Sequence, residues 1–476
     1  MKINRKLVSG FAATALLAGM QMSVQAKISA EEAAKLGVEG TPLTPMGAER
    51  AGNADGTIPA WTGGITEIPA GFVAGGNYVD PYADDEKLFT ITADNYQQYE
   101  ANLTAGQIEL FKKYPDTYRM HVYPSRRSAS YPDWVYERTI AQAEHAEVCD
   151  GSREKGEVCI STDLDGGGIP FPIPADGIEA GWNHIMAFRG QYGSNYANAP
   201  LINKLGARTD VVIQMRETSP WWLKNDKLPN TEWFSRDGGA YLCDSWQIIQ
   251  PPRSSGLVFG GCGYINEPDF NVYLYIPGQR RVRKAPEIGF HDSPSFGSDG
   301  LRIVSARWQW WFGGKKPRHN IELTGKKEIY VPYNPYNLAR ADLPLDDIIG
   351  DKHIKSDVLR YELHRVWEID TTLKEGERHL FKRHVAYFDE DTWLGVAYDG
   401  YDHKDRLWRV GEQYNLNFYD QGVVRAYGDG QYDLVNGRYT TFPGWFLQAG
   451  YGAPNFVDPV DMSIFTPSGL RKFGTR

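Results

Sequence analysis

The sequence is poor in cysteine, with 4 in 476 residues, and none of them stands in a CxxC pair. That spacing gives no support to a zinc-ribbon or thioredoxin-like reading. The chain also lacks HExxH, a GxSxG elbow, GxGxxG, a P-loop and a haem-attachment motif. No metalloprotease, serine hydrolase, nucleotide or haem site is therefore written in it, and no cofactor or metal is expected. Beyond the first 26 residues no apolar run approaches the roughly 20 residues a membrane-spanning helix needs. Positive charge is scarce as well. The net charge is -9, and about -12 once Lys2, Arg5 and Lys6 are set aside. An acidic surface argues against nucleic acid and against lasting adhesion to anionic lipid, and leaves room only for transient membrane contact.

Those three basic residues head a secretory signal. Residues 7–20 form its apolar core, and Val24-Gln25-Ala26 is a small-residue cleavage site before Lys27. Domain organisation follows: 1–26 is a cleaved signal, and 27–476 is a single β-rich domain, exported and soluble in the periplasm of a Gram-negative bacterium. In such an oxidising compartment pairing of sequence neighbours, Cys149 with Cys159 and Cys243 with Cys262, is the simplest of the three possible connectivities. Each bridge is expected to close a short surface loop and to contribute roughly 2–4 kcal/mol.

What the chain has in abundance is alternation. In 359–416, Leu359, Tyr361, Leu363, Trp367 and Ile369 fall on one face, and Arg360, Glu362, His364 and Glu368 mostly on the other. A period of two marks a strand with one apolar and one polar face. Breaks at Glu375-Gly376, Asp389-Glu390-Asp391 and 399–405 let neighbouring strands pair antiparallel. Further strands are expected around Val211, Ile213 and Met215, at 272–276, and at 321–331. In the last of these Ile321, Leu323, Ile329 and Val331 are expected on one side. Helices are expected mainly in the N-terminal third. One opens at the capping box Ser29-Ala30-Glu31-Glu32, two lie in 92–114 with Thr104 capping the second, one fits 133–148, and one carries Ile178, Trp182, Ile185 and Met186. Residues 41–84, dense in Gly and Pro, read as a wrap over a surface. The division expected is 27–208 for wrap and helices, and 209–476 for the main antiparallel sheet.

Several phrases carry a resemblance. They are Ile58-Pro59-Ala60-Trp61-Thr62-Gly63-Gly64, Val122-Tyr123-Pro124-Ser125-Arg126-Arg127, Pro170-Phe171-Pro172-Ile173-Pro174, Trp182-Asn183-His184, the run from Tyr273-Leu274-Tyr275-Ile276-Pro277 through Arg283, and the 389–393 turn. Together they resemble the bacterial family designated domain of unknown function 1329, over essentially the whole mature chain. That family is described as similar to LolA/LolB-type outer-membrane lipoprotein-sorting proteins. The resemblance implies a mainly β fold with helices (α+β), a curved antiparallel half-barrel with a helical plug or lid. It implies a non-catalytic periplasmic carrier or receptor for a lipid or other hydrophobic small molecule, working beside an inner-membrane transporter of the resistance–nodulation–division type. It transfers no catalytic residue.

Candidate ligand contacts are read from the residues themselves. Trp308 and Trp310, in Trp308-Gln309-Trp310-Trp311-Phe312, and the pair Trp221-Trp222 suit the wall of a hydrophobic cavity, although single tryptophans more often pack in cores. Trp367, Tyr361, Leu363 and Phe381 belong to apolar strand faces. Lys327, Arg365 and Arg383 interrupt such faces, and a lone buried charge costs several kcal/mol unless it is paired or reaches water. An anionic head group is the functional reading; snorkelling, a bulge or a carboxylate partner is the plain one. The basic run Arg280-Arg281-Val282-Arg283-Lys284 reads as a solvated strand edge. The acidic stretches at 163–166 and 399–405 read as turns, and His184 as a buried structural histidine. Two other functions compete: a glycan-binding surface of exposed aromatics, and an envelope hydrolase or lyase built from distant residues.

Overall fold

The structure is a computed structural model describing residues 28–149, 160–162, 164, 166–223, 231–235, 238–266, 270–285, 298–302, 318–442, 444 and 453–474. The expected signal segment lies outside these residues. Five helices matter here: α1 (Ala30–Ala33), α2 (Ala105–Lys113), α3 (Asp133–Gln142), α4 (Gly177–Met186) and α5 (Pro467–Gly474). The capping boxes at Ser29 and Thr104 both form. The segment before Thr104 winds as a 3-10 helix, Tyr96–Asn102, rather than as the expected α-helix. Helix α3 ends at Gln142, short of 148, because Val148 pairs instead with Ile160 in a two-stranded ladder.

Two open antiparallel sheets make the body of the molecule. Strands β1 (Phe89–Ile91) and β2 (Met120–Val122) come first in the chain. A six-stranded meander follows: β3 (Tyr192–Asn198), β4 (Val212–Thr218), β5 (Ala240–Gln250), β6 (Val258–Tyr264), β7 (Asn271–Ile276) and β8 (Arg281–Ala285), each pairing with the next. Among the described residues the larger sheet has 11 strands. Its core is β9 (His319–Pro332), β10 (Tyr361–Leu373), β11 (Arg383–Asp389), β12 (Gly395–Tyr401), β13 (Leu407–Phe418), β14 (Val423–Asp433) and β15 (Arg438–Phe442). Beyond β15 the short strands Leu201–Ile202 and Arg208–Thr209 complete that edge, so the chain leaving β3 joins the two sheets.

Bulges bend the larger sheet. Register shifts fall at Leu323/Gly325, Tyr387/Phe388, Gly400/Tyr401 and Tyr414/Asn415. Each adds local twist and bends its strand. The strip from β9 to β13 curls until Tyr333 meets Asn415 in a single parallel bridge, and the sheet then runs on, unclosed, through β14 and β15. Ile329, Val331, Val366, Val385, Tyr387 and Ala397 pack together within the strip. Helix α2 covers the face that carries Asp399 and Glu412: Gly106 N–H donates to Asp399 Oδ1 at 2.8 Å, and Gln107 Nε2 to Glu412 Oε1 at 3.0 Å. The expected mainly β architecture, with a curved sheet and an N-terminal helix over it, is the observed one.

Two local expectations change. The bulge at Gly325, where φ is +116°, turns β9 over midway. Leu323 stands opposite Ile369, but Ile329 stands opposite His364, so the two halves of the expected apolar side point to opposite faces. Asp399, expected in a turn, is a buried residue within β12; the turn begins at Asp402, whose Oδ1 accepts Lys404 N–H at 2.8 Å.

The Gly/Pro-rich segment wraps this body. Ile58 and Trp61 are buried, and Trp61 Nε1 donates to Ala129 O at 3.1 Å. Gly47 sits at φ +83°, where an added Cβ would lie 1.7 Å from Pro172 O. Only glycine permits that approach. Cys243 and Cys262 form the expected bridge, but they are directly paired on β5 and β6 and fully buried, so the bridge ties two neighbouring strands rather than a surface loop. Cys149 is also disulfide-bonded, while Cys159 lies outside the described residues.

Candidate functional site

Gln413 alternates with Glu412 along β13, so it faces away from α2 and toward the six-stranded sheet. Between the two sheets there lies a narrow slot of about 70 Å³, open toward solvent at its mouth. The C-terminal end of α4 and the turn after it form the roof, through Met186, Ala187 and Arg189. Met215 of β4 and Tyr241 and Trp246 of β5 form one wall; Tyr427 of β14 and Phe442 of β15 form the other. Trp246 reaches across to Phe442 with ring centroids 6.3 Å apart, edge to face, which is the favoured aromatic geometry.

Trp221 and Trp222, adjacent in a 3-10 turn after β4, both line the slot. Their indole nitrogens are satisfied elsewhere, donating to Gly168 O and Met186 O at 2.9 Å each, so each ring is held rigidly. Charges are placed among these rings. Arg425 pairs with Glu217 across the sheets at 2.5 Å, and Arg302 pairs with both oxygens of Asp429. Arg302 also lies 4.2 Å from the centre of the Phe442 ring. Arg189 differs: its guanidinium donates to His184 O at 2.8 Å and Ala187 O at 3.2 Å, both backbone carbonyls at the end of α4.

Lipid-contact candidates from the sequence lie elsewhere. Trp308 and Trp310 fall outside the described residues. Tyr361 is fully buried and donates to Glu412 Oε2 at 2.9 Å; Leu363 packs in the main core. Trp367 stacks on Trp393 at 5.5 Å, and Phe381 packs against Trp408. The three charges each have a carboxylate. Lys327 meets Glu368 at 2.5 Å, Arg383 meets Asp370 at 2.6 Å, and Arg365 meets Glu390 at 2.6 Å while also donating to Ala51 O at 2.6 Å. These pairings match the plain reading of interrupted faces, and none of the seven described candidates lines the slot.

The motif Arg126-Arg127 is used internally as well. Arg127 is buried against Asp391 at 2.6 Å, and Arg126 pairs with Asp85. From Arg281 onward the run at 280–284 lies on β8, the exposed edge of the smaller sheet among the described residues. His184 is buried, with Nδ1 2.8 Å from Trp393 O. A second buried histidine, His364, has Glu362 at 3.2 Å and Asp389 at 3.6 Å on its two nitrogens. Burial pulls its pKa down, but those carboxylates outweigh it and raise it to about 9. All three side chains are sealed from solvent, which suits a structural cation rather than chemistry on a substrate. Among the described residues no cluster of three or more His, Cys, Asp or Glu could hold a metal ion, and no helix is long and apolar enough to cross a membrane.

Comparison with known proteins places the chain. The family model described as "Protein of unknown function (DUF1329)" matches residues 90–471. The chain belongs to the DUF1329 family. "Uncharacterized protein PA3922" of Pseudomonas aeruginosa is 38% identical to it over 480 residues, covering 100% of both chains. Among solved structures, a DUF1329 family protein from Desulfovibrio piger aligns with a TM-score of 0.39 at 15% identity, over 62% of this chain and 100% of that one. A putative outer membrane lipoprotein-sorting protein domain from Vibrio parahaemolyticus gives 0.36 at 11% identity, over 59% and 92%. The LolA superfamily protein NE2245 from Nitrosomonas europaea gives 0.34 at 9% identity, over 60% and 93%.

Sequence reasoning singled out Trp221 and Trp222 by their density, and passed over Arg189, Trp246, Glu217 and Arg425. Trp246 stands in an alternating strand like any core aromatic. Arg189 follows an apolar helix, where a C-terminal basic residue is ordinary. Only the meeting of two sheets distinguishes them.

Proposed function

We propose that this DUF1329 protein is an exported, non-catalytic carrier that holds a lipid-like hydrophobic molecule between its two sheets. The observation that carries the reading is the slot itself, walled by Trp221, Trp222, Trp246, Met186 and Met215. Those walls are nearly closed on each other, so a hydrocarbon chain enters where the two sheets part, and it then gains about 0.8 kcal/mol per CH₂ buried. A dozen groups buried in this way give about 10 kcal/mol gross, and the costs of parting the sheets and ordering the ligand bring that down toward roughly micromolar capture. Met186 and Met215 suit such a ligand because unbranched thioethers adapt to irregular shapes.

A glycan-stacking surface needs ring faces in water. Every tryptophan among the described residues is buried or half-buried, so the carrier reading has the better support.

The test is native mass spectrometry of the full chain exported to a bacterial periplasm and purified without detergent, followed by organic extraction. The expected result is a co-purifying amphiphile, lost when Met215→Trp fills the slot. A clean apo mass, together with no uptake of added long-chain amphiphiles, would overturn the proposal.

A further inference from the structure

The slot contains a cation, Arg189, that makes no direct ion pair with an acid among the described residues; Glu217 acts on it only from a distance. Of its charged lining residues, Arg425 has Glu217 and Arg302 has Asp429. Arg189 has the carbonyl oxygens His184 O, Ala187 O and, at 3.4 Å, Ile185 O, with His184 Nδ1 at 3.5 Å, but no carboxylate. No carboxylate among the described residues forms an ion pair with it. Its neighbour Arg425, which donates to Arg189 O at 3.0 Å, adds charge of the same sign.

Capping the end of α4 accounts for the carbonyl bonds, and the helix dipole favours a cation there. Capping does not account for the location. A surface arginine caps equally well in water, whereas this one is held among Trp222, Met186 and Tyr427 in the slot lining. Protein surrounds it, yet part of the side chain still faces open space. Burial, and then the repulsion of Arg425, lower its pKa to about 10 against the opposing attraction of Glu217, so it stays charged at neutral pH. A buried cation without a direct counter-charge is costly. Guanidinium matches a carboxylate or phosphate group with paired N–H donors, and in a dry site such a bond is strong.

We propose that Arg189 binds the head group of an anionic amphiphile, a carboxylate or phosphate on a long alkyl chain, with the tail lying along Trp246 and Met215. This rests on the carrier reading and names its ligand class. It also places the anionic contact at Arg189 rather than at Lys327, Arg365 or Arg383, whose charges already have acids.

The test measures binding of hexadecanoate, hexadecyl phosphate and uncharged hexadecanol to the delipidated full chain, by tryptophan fluorescence and calorimetry. The wild type should bind at least one of the anions tenfold or more tighter than hexadecanol, and whichever it prefers identifies the head group. Arg189→Gln should abolish that preference by weakening anion binding at least tenfold more than hexadecanol binding, and Arg189→Lys should retain part of it. Equal wild-type binding of all three, or a preference that survives Arg189→Gln, would overturn the head-group assignment and leave the carrier reading standing. Binding of none would overturn both. Because the wild-type preference is read first, the proposal remains testable even if Arg189→Gln folds poorly.

Discussion

Asp399 shows how one residue can carry both a docking contact and a pH response. It is wholly buried on β12, and its acceptor oxygen takes the Gly106 N–H at the start of α2. Burial pushes its pKa up to about 7, against the pull of the Gly106 and Ala105 N–H groups and with a further push from Glu368. A pKa raised in the folded state means that the fold holds the proton more tightly than the open chain does. The associated stability is therefore complete below the unfolded value near 4 and is lost as pH climbs through about 7. Asp399→Asn keeps an oxygen for Gly106 and cannot ionise. It should match the wild type at pH 4 and exceed it at pH 8 by on the order of 1–3 kcal/mol. Urea unfolding at the two pH values checks this; a variant weaker than wild type at pH 8 would refute the electrostatic account.

Elements differ in how much of themselves they declare. Helix α2 is written locally, since Thr104 Oγ1 accepts Gln107 N–H at 3.1 Å and Gln107 Oε1 returns the bond to Thr104 N–H at 3.0 Å. That reciprocal pair needs no distant partner, so it was readable from four residues. Strand β9 was readable as a strand but not in its facing, because the bulge at Gly325 depends on how β10 pairs with it. Glycine there marks a site that tolerates a bulge without announcing one. The end of α3 depends on a ladder to Ile160, again a distant residue. Since Gln107 also reaches Glu412, the cap of α2 positions a contact with the sheet. Thr104→Ala should cost about 1–2 kcal/mol, at the upper end for a cap, and Thr104→Ser should restore most of it. Thermal unfolding reads the difference, and a neutral Thr104→Ala would mean that packing alone fixes the helix.

At the scale of the molecule the slot is a seam. The strand patterns of both sheets were legible in the sequence, because each strand alternates by itself. Their mutual placement was not, because the residues that meet across the seam, Glu217 with Arg425 and Trp246 with Phe442, lie about 200 positions apart in the chain. Trp221 and Trp222 stood out by crowding, but nothing in their neighbourhood announced which strands would face them. Glu217 and Arg425 are both largely withdrawn from water, 13% and 4% exposed, so their attraction is little screened by salt. Removing one partner of such a pair leaves the other buried without its counter-charge, which costs roughly 3–5 kcal/mol, whereas removing both costs much less. Here the imbalance is sharper, because Glu217 also moderates the repulsion between Arg425 and Arg189. Glu217→Gln should therefore destabilise the apo protein more than the Glu217→Gln/Arg425→Gln double variant does, giving a favourable coupling energy of at least about 1 kcal/mol in a double-mutant cycle. Amide hydrogen exchange should place the loss in β3, β4 and β14, the strands beside the seam, rather than in the strip from β9 to β12. Additive single effects would mean that the two sheets are joined by aromatic packing alone, with the ion pair contributing nothing to the clamp.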